Sequence, residues 1–128
     1  MNRSFLLHLC LLLSFCFLSG CSGWKTDYGK PVAQFVEEDV VTKGKEFLNK
    51  KITVKGMVTK VDISDPESAK VFLQYGIECN LGKLTKMAES SKIGEAVYVD
   101  GLLKACEEGK VILDPAVLRD PNAKFDPQ

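Results

Sequence analysis

Residues 51–63 constrain the fold most, because their apolar side chains recur at every second position, as in a strand that buries one face. The alternation holds through Val58 and then slips by one residue before Val61. Gly56 lies in the middle of the run. A slip together with a mid-strand glycine predicts a long first strand with a bend or a bulge. A strand of this kind needs partner strands, which favours a mainly β domain.

Four further strand-like runs follow the first one, separated by turn residues. They lie at 71–75, 77–81, 94–103 and 111–118, and the turns lie at 64–68, 76 and 107–109. Residues 83–91 suit a short helix between the third and fourth strands. Pro115 has no backbone N–H to donate, so we expect the fifth strand to lie at an edge or to contain a bulge there.

The segment before the first strand has apolar residues at helical spacing. The side chains that fall along one side are Val32, Phe35, Val36, Asp39, Val40 and Lys43. This pattern predicts an amphipathic helix from Pro31, in its first turn, to Phe47 or Leu48. Gly44 is expected either to end that helix or to interrupt it.

Three strands, a helix and a final hairpin follow the order of an OB-fold, a small partly open Greek-key barrel. We therefore predict a mainly β fold, a small five-stranded OB-like barrel preceded by an amphipathic helix. Residues 46–118 resemble the exported tRNA_anti-like OB-fold family. The resemblance is carried by residues 47–58, 71–73, 77–79, 93–101 and 111–113, in that family's order and approximate spacing. It implies the OB-fold and does not imply tRNA binding, and the leading helix departs from the family.

The N-terminus has the pattern of an export signal. Arg3 precedes an apolar run at 5–18, which is shorter than the roughly 20 residues that a membrane-spanning helix needs. The run ends in Leu18-Ser19-Gly20-Cys21, which resembles the lipobox of bacterial lipoproteins. The resemblance implies that the Cys21 thiol takes a diacylglycerol, that cleavage precedes Cys21, and that the new amino group is acylated, typically with palmitate. A plain secretory signal and an uncleaved anchor are the alternatives.

These patterns divide the chain into four parts. They are a signal peptide at 1–20, a lipidated Cys21 with its tether at 21–31, an OB-like domain with its leading helix at 32–120, and a flexible tail at 121–128. Two or more acyl chains give stable anchoring. The protein is therefore expected to be exported and held to a bacterial membrane. Ser22 resembles the outer-membrane class of lipoproteins, which favours the outer membrane in a Gram-negative cell.

The charge and residue types of the mature chain give no sign of catalysis. Without Arg3 the chain has 16 basic and 17 acidic residues, a formal charge of −1, and its single histidine, His8, leaves with the signal. It therefore lacks the commonest general base and metal ligand. Asp62, Asp65 and Glu67 lie close together, but without EF-hand spacing, and a solvated turn is the favoured interpretation. We expect no enzyme, no cofactor and no metal.

Cys79 and Cys106 are the two thiols that remain besides Cys21. An oxidising envelope permits a disulfide between them. In an OB barrel, however, the third and fifth strands run parallel, which separates these positions by far more than the 7 Å or so that a bridge tolerates. The sequence leaves the disulfide open and favours Cys79 as a small buried residue.

Three kinds of binding function are compatible with these features. The first is a non-enzymatic binding or adaptor module for an envelope protein, acting through the open barrel face and the loops near 64–70 and 106–110. The second is a small-ligand or oligosaccharide binder, as OB-folds can be. Nucleic-acid binding needs aromatic platforms and a basic groove. Phe72, Tyr75 and Tyr98 are the candidate aromatics, and the candidate cations are Lys51, Lys55, Lys60 and Lys70. Interleaved acidic residues argue against this function, and core packing for Phe72 and a rim position for Tyr98 are the favoured interpretations.

Overall fold

A computed structural model of the chain describes residues 30–128. The predicted signal peptide, Cys21 and nearly all of the predicted tether lie outside the described residues. The strands are β1 (Ala33–Val36), β2 (Lys51–Asp62), β3 (Ala69–Leu73), β4 (Ile77–Gly82), β5 (Ala96–Glu107) and β6 (Lys110–Leu118). The α-helices are α1 (Val40–Lys43) and α2 (Thr85–Glu89), and 3-10 turns cover Glu37–Asp39 and Lys45–Phe47.

Strands β2 to β6 close into a five-stranded barrel. β2 pairs antiparallel with β3 and with β5, β3 pairs with β4, and β5 pairs with β6. The barrel closes through a parallel pairing of β4 with β6, in which Cys79 lies opposite Leu113. This is the strand order of an OB-fold. The prediction of a mainly β, five-stranded OB-like barrel is confirmed.

The long first strand of the barrel, β2, contains an irregularity of pairing where the sequence predicts a bend or a bulge. The register of β2 against β3 shifts between Val58 and Lys60, which is the position of the slip in the apolar alternation. At Gly56 a Cβ atom would lie 2.6 Å from Glu37 Oε2 and 2.9 Å from Leu73 Cδ1. A larger residue at position 56 would therefore require the Glu37 and Leu73 side chains to shift, and the glycine allows this close approach.

The leading segment differs from the helix predicted between Pro31 and Phe47 or Leu48. Ala33–Val36 forms β1, which runs parallel to β2 with Phe35 opposite Val54. Only residues Val40–Lys43 are α-helical, and Gly44 caps the end of that helix. A helix therefore precedes the barrel, as predicted, but its length was wrong. The physical reason is tertiary: β3 pairs with β2 only from Val58 onward, which leaves an edge of the first half of β2 for β1 to fill.

The barrel interior is apolar. Inward residues of every strand are buried, and α2 adds Ala88 while the leading segment adds Phe35 and Val40. The fully buried large side chains include Ile52, Val54, Val58, Val71, Ile77, Val99, Leu103, Val111 and Leu113. The Phe35 and Phe47 rings pack 5.7 Å apart between centroids, so the segment before β2 is tied to the same core.

Pro115 lies at a bulge, which is one of the two positions that the sequence predicted for it. Opposite β5, Leu113 faces Leu103 and Ala116 faces Gly101, so Asp114 and Pro115 form an irregularity in the pairing. The first part of β6 also pairs with β4, so it lies inside the sheet. Within residues 30–128, no helix has the length and apolar character needed to cross a membrane.

Candidate binding surfaces of the barrel

In the turn that carries Asp62, Asp65 and Glu67, two carboxylates are satisfied within the turn and the third pairs with a lysine outside it. Asp62 accepts hydrogen bonds from the Ser64 hydroxyl (2.7 Å) and backbone N–H (3.0 Å), which lower the pKa of Asp62. Asp65 accepts from the Glu67 N–H at 2.9 Å, and Glu67 lies 3.6 Å from Lys83. Among residues 30–128 no group of three or more His, Cys, Asp or Glu side chains is placed to hold a metal ion.

The two cysteines of the described chain are buried and unbonded. Cys79 in β4 faces Leu113 of β6, and Cys106 in β5 faces Val111 of the same strand. β6 therefore separates them by two strand spacings, about 10 Å, which exceeds the reach of a disulfide. The Cys79–Cys106 disulfide left open by the sequence does not form in this structure. Burial raises the pKa of both thiols, and the Cys106 Sγ lies 3.3 Å from the Val40 carbonyl oxygen.

One candidate surface, here called the Phe72 face, is formed by outward side chains where β2, β3, β4 and β6 lie side by side. Phe72 and Lys70 alternate with the buried Ala69, Val71 and Leu73, so they point away from the core, and the interpretation of Phe72 as a core residue was wrong. The members of the face are Lys60, Asp62, Lys70, Phe72, Glu78, Asn80, Ile112 and Asp114. The loop at 63–68 follows the face at one end, and the turns at Gly76 and Gly109 meet at the other, where the Val111 N–H donates to the Gly76 carbonyl at 3.0 Å.

The charges on the Phe72 face are mixed, and each has a polar, charged or aromatic neighbour. The Lys60 ammonium lies 5.3 Å from the Phe72 ring centroid, and Lys70 lies 3.9 Å from Glu78. The Asn80 amide donates to the Asp114 carboxylate at 3.1 Å. The face therefore offers one aromatic ring among two lysines and three carboxylates. It is a polar surface with a single apolar centre.

A second surface, here called the Tyr98 face, lies on the outward side of β2 and β5. Lys55 stands opposite Tyr98 and Thr53 stands opposite Asp100 across the two strands. Tyr98 and Asp100 share a strand face, as the alternation predicts. The Lys55 ammonium and the Arg119 guanidinium carbon lie 5.5 Å and 6.0 Å from the Tyr98 ring centroid. Two cations therefore flank one aromatic ring.

A buried polar network supports the Tyr98 face. The Thr53 side chain is 0% exposed, its hydroxyl donates to Asp100, and it accepts from Arg119 at 3.4 Å. The Arg119 backbone N–H also donates to the Tyr98 carbonyl at 2.8 Å. Arg119 is thus held at both its backbone and its side chain beside the ring.

Residues 120–128 lie against the Tyr98 face. The Phe125 ring meets the Tyr98 ring edge-on with centroids 5.1 Å apart. The Asp126 N–H donates to the Gln34 side chain at 2.6 Å, and the Gln128 N–H donates to the Gln34 carbonyl at 2.8 Å. The Lys124 carbonyl accepts from Arg119. The segment predicted to be a flexible tail therefore has defined partners on β1 and β5, and its motion stays a prediction.

A third surface surrounds Tyr75. An open groove of about 610 Å³ lies between Glu38–Thr42 and the turns at Tyr75–Gly76 and Glu108–Gly109. A smaller groove of about 270 Å³ adjoins Tyr75 on the side of Met57 and Ala96. Tyr75 is 54% exposed and is the aromatic residue that lines either groove. Neither is a deep pocket ringed by aromatic side chains.

The structure separates the residues that the sequence proposed as nucleic-acid contacts. Phe72, Lys60 and Lys70 share one face, Tyr98 and Lys55 share another, and Tyr75 stands on a third surface, whose smaller groove Lys55 also lines. Three residues of the Tyr98 face were missed by sequence reasoning: Thr53, Arg119 and Phe125. Thr53 was visible as an outward position of the alternating run, but its burial depends on residues far along the chain.

No protein family and no curated protein matches the chain. Among solved structures, the chain is similar to a crystal structure of a lipoprotein from Klebsiella pneumoniae that is proposed to bind nucleic acid. The identity is 10%, the TM-score is 0.45, and the match covers 65% of this chain and 81% of the other. The OB-like assignment made above comes from the strand order of this chain itself.

Proposed function

We propose that this protein is a lipid-anchored lipoprotein of the bacterial cell envelope whose OB-like domain is a non-enzymatic binding or adaptor module. The observation that carries the proposal is the Phe72 face. It presents one half-buried ring among paired charges on a surface held between the 63–68 loop and the Gly76 and Gly109 turns. In OB-folds this region of the barrel and its loops form the binding surface.

The chemistry of the Phe72 face favours a protein partner. A protein interface combines an apolar centre with a polar rim that keeps its hydrogen bonds. Phe72 supplies such a centre, and Lys70, Glu78 and Asn80 supply such a rim. A small-ligand site would instead be concave and mostly apolar. The grooves beside Tyr75 contain one aromatic ring between them, which makes the small-ligand alternative weaker.

The same face argues against a nucleic-acid partner. Non-specific affinity for nucleic acid comes from neutralising several phosphates. Lys60 and Lys70 are offset by Asp62, Glu78 and Asp114 on the same surface. We expect dissociation constants no tighter than about 10⁻⁴ M near physiological salt. Fluorescence anisotropy with labelled single-stranded DNA and RNA at two salt concentrations measures this. Micromolar affinity with a steep salt dependence would contradict the expectation.

The anchor is tested by replacing the cysteine at the proposed cleavage site. Cys21→Ala should release the protein from membranes or leave it as an unprocessed precursor, and intact mass of the wild type should show acylated Cys21 as the first residue. Cys16→Ala is a matched control, because Cys16 lies in the apolar run that the signal peptidase removes. A mature wild-type chain that begins at Ser19 or Gly20 without lipid would overturn the anchor.

The binding role is tested by site-specific photocrosslinking in living cells. A photoreactive amino acid at position 72 should capture a discrete envelope protein, identified after detergent solubilisation and pull-down. The control position is Ile93, which is 72% exposed and lies outside the Phe72 face. A discrete product at position 72 with none at position 93 supports the module. Equal products at both positions, or none at position 72, would contradict it.

A further inference from the structure

Residues 120–128 occupy the Tyr98 face in a manner that resembles a bound peptide. Eight of these nine residues are exposed, and Phe125 alone is half-buried. Its ring contacts Tyr98, the aromatic centre of the face. An otherwise exposed segment is thus held through one aromatic anchor and a few backbone hydrogen bonds.

The backbone contacts of the segment do not depend on its own sequence. Asp126 and Gln128 both donate main-chain N–H groups to Gln34 of β1, one to its side chain and one to its carbonyl. The Lys124 carbonyl accepts from Arg119. Main-chain hydrogen bonds of this kind can be made by any extended peptide, while pockets for side chains give specificity. The one side-chain contact that selects sequence is therefore Phe125 on Tyr98.

The face beneath the segment is already organised to receive a ring. The Thr53 hydroxyl, which donates to Asp100, accepts from the Arg119 side chain, and Arg119 and Lys55 flank Tyr98. Organisation of this kind lowers the ordering cost that a ligand would otherwise meet on binding. The residues of the Tyr98 face also differ from those of the Phe72 face, which takes from β2 only the end of the strand, at Lys60 and Asp62, and otherwise lies on β3, β4 and β6.

From these contacts we propose that the Tyr98 face is a docking site for an extended peptide segment of a partner protein that carries an aromatic side chain. Residues 120–128 are its intramolecular competitor. The partner segment places its aromatic ring on Tyr98, gives its following N–H groups to Gln34, and displaces Phe125. This site goes beyond the proposed role of the Phe72 face and does not depend on it.

An intramolecular competitor lowers the apparent affinity of a partner peptide for the Tyr98 face. A short tether gives the tail an effective concentration on the order of millimolar, so an added peptide must compete against it. Removing the anchoring ring should free the face. We expect the affinity for an added peptide to rise at least about five-fold when Phe125 is replaced.

The test uses the full-length protein in detergent and a labelled synthetic peptide with the sequence of residues 120–128. Phe125→Ala should bind this peptide at least about five-fold more tightly than the wild type by anisotropy. Lys124→Ala is the matched control, because it changes the neighbouring side chain and leaves Phe125 in place. A peptide with alanine in place of phenylalanine should not bind, and adding Tyr98→Ala to the Phe125→Ala protein should abolish binding.

Hydrogen exchange of β2 and β5 amides in each variant establishes that the barrel stays folded. The proposal is overturned if folded Phe125→Ala and wild type bind the peptide equally, or if the alanine peptide binds as well as the original. Sedimentation velocity addresses a second copy as the occupant. A wild-type dimer that disappears in Phe125→Ala would show that residues 120–128 of a second copy occupy the Tyr98 face. That result would overturn the proposal of a separate partner protein. Photocrosslinking at position 72 should be unchanged in Phe125→Ala, so failure here leaves the proposed function standing.

Discussion

The Phe72 face and the Tyr98 face both contain a pair of an aromatic ring and a lysine, and they differ in the residues around that pair. Each has an outward aromatic ring with a β2 lysine above it, Lys60 at 5.3 Å from Phe72 and Lys55 at 5.5 Å from Tyr98. The Phe72 ring is bordered by short polar pairs on neighbouring strands. The Tyr98 ring is bordered in addition by Arg119 and by Phe125 from the end of the described chain.

The difference shows that a cross-strand lysine and aromatic pair does not by itself define a binding surface. Such a pair is worth roughly 0.2–1 kcal/mol and is common on sheets. What separates the two faces is the support behind the ring. Beneath the Tyr98 face lies the buried hydroxyl of Thr53, whereas on the other face the neighbouring Thr59 is exposed and donates to the Phe72 carbonyl at 3.3 Å.

The largest expected effect comes from removing that support. Thr53→Val keeps the side-chain shape but deprives Asp100 of a donor and Arg119 of an acceptor, and partly buried groups left unpaired cost about 1–3 kcal/mol. Urea unfolding should show a loss of about 2 kcal/mol. Thr59→Val, the matched change on the Phe72 face, should stay within about 0.5 kcal/mol. Equal losses in the two variants would remove the distinction drawn between the faces.

Cys79 of β4, one of the strands of the Phe72 face, should make the domain less stable at alkaline pH. Burial raises the pKa of the Cys79 thiol, which is 0% exposed in β4. The folded state therefore keeps the neutral thiol while the unfolded chain ionises above a pH of about 8.5. The free energy of unfolding should fall as pH rises beyond this value, by up to about 1.4 kcal/mol per pH unit from this group.

Cys79→Ala isolates that contribution, because the slope above pH 8.5 should become shallower in urea unfolding curves even though the variant is less stable overall. Thiol labelling of the native wild type provides a second measurement. Cys79 should react only as fast as the domain unfolds, because the thiolate is the reactive form and the buried Cys79 thiol stays neutral and inaccessible in the folded state. Faster labelling would show that the sheet beneath the Phe72 face opens locally.

A smaller effect should separate the two rings themselves. Tyr98→Ala removes an edge-on aromatic contact and two cation contacts, for a loss of about 1–2 kcal/mol. Phe72→Ala removes one contact with a cation, that of Lys60. Apart from the loss of buried apolar area, which both variants share, we expect it to lower the free energy of unfolding by about 1 kcal/mol or less. Thermal unfolding of both variants at one pH measures the difference, and the opposite order would be inconsistent with the described packing.

The smallest expected effect lies in the loop beside the Phe72 face. Hydrogen bonds from the Ser64 hydroxyl, and then from its backbone N–H, lower the pKa of Asp62. A lowered pKa gives stability that is present above the unfolded pKa and is lost as pH falls through the folded pKa. Ser64→Ala should raise the Asp62 pKa toward its ordinary value, measured by carboxyl NMR titration, with almost no change in stability because the group is exposed. An unchanged Asp62 pKa would contradict the described turn.

Sequence reasoning succeeded where the determining information is local. The apolar alternation located the strands of the barrel, the slip before Val61 located the β2 bulge, and Pro115 located the β6 bulge. Each of these signals depends on residues within a few positions of the feature. The strand order then followed from the succession of elements, which the closed pairing of β4 with β6 confirms.

It failed where the partner is remote. The residues from Ala33 to Val36 fit helical spacing and also period two, and only the uncovered edge of β2 decides between them. The Tyr98 face was equally hidden, because Phe125 lies far along the chain from Tyr98 of β5, and Asp126 lies far from Gln34 of β1. Among the candidate aromatics, the sequence named Phe72, Tyr75 and Tyr98 but could not place them on three separate surfaces.

The meeting of two hairpin turns has a consequence for how such a domain can be varied or redesigned. Gly76 and Gly109 approach so closely that a Cβ at Gly76 would collide with the Gly109 carbonyl, and the adjacent Val111 N–H is bonded to Gly76. Neither turn can lengthen without displacing the other. The 63–68 loop is held by bonds within itself and by side-chain contacts with residues 80–85, and exposed loops of this kind accept insertions. New sequence for selecting altered partners therefore belongs in the 63–68 loop, with both glycine turns left unchanged.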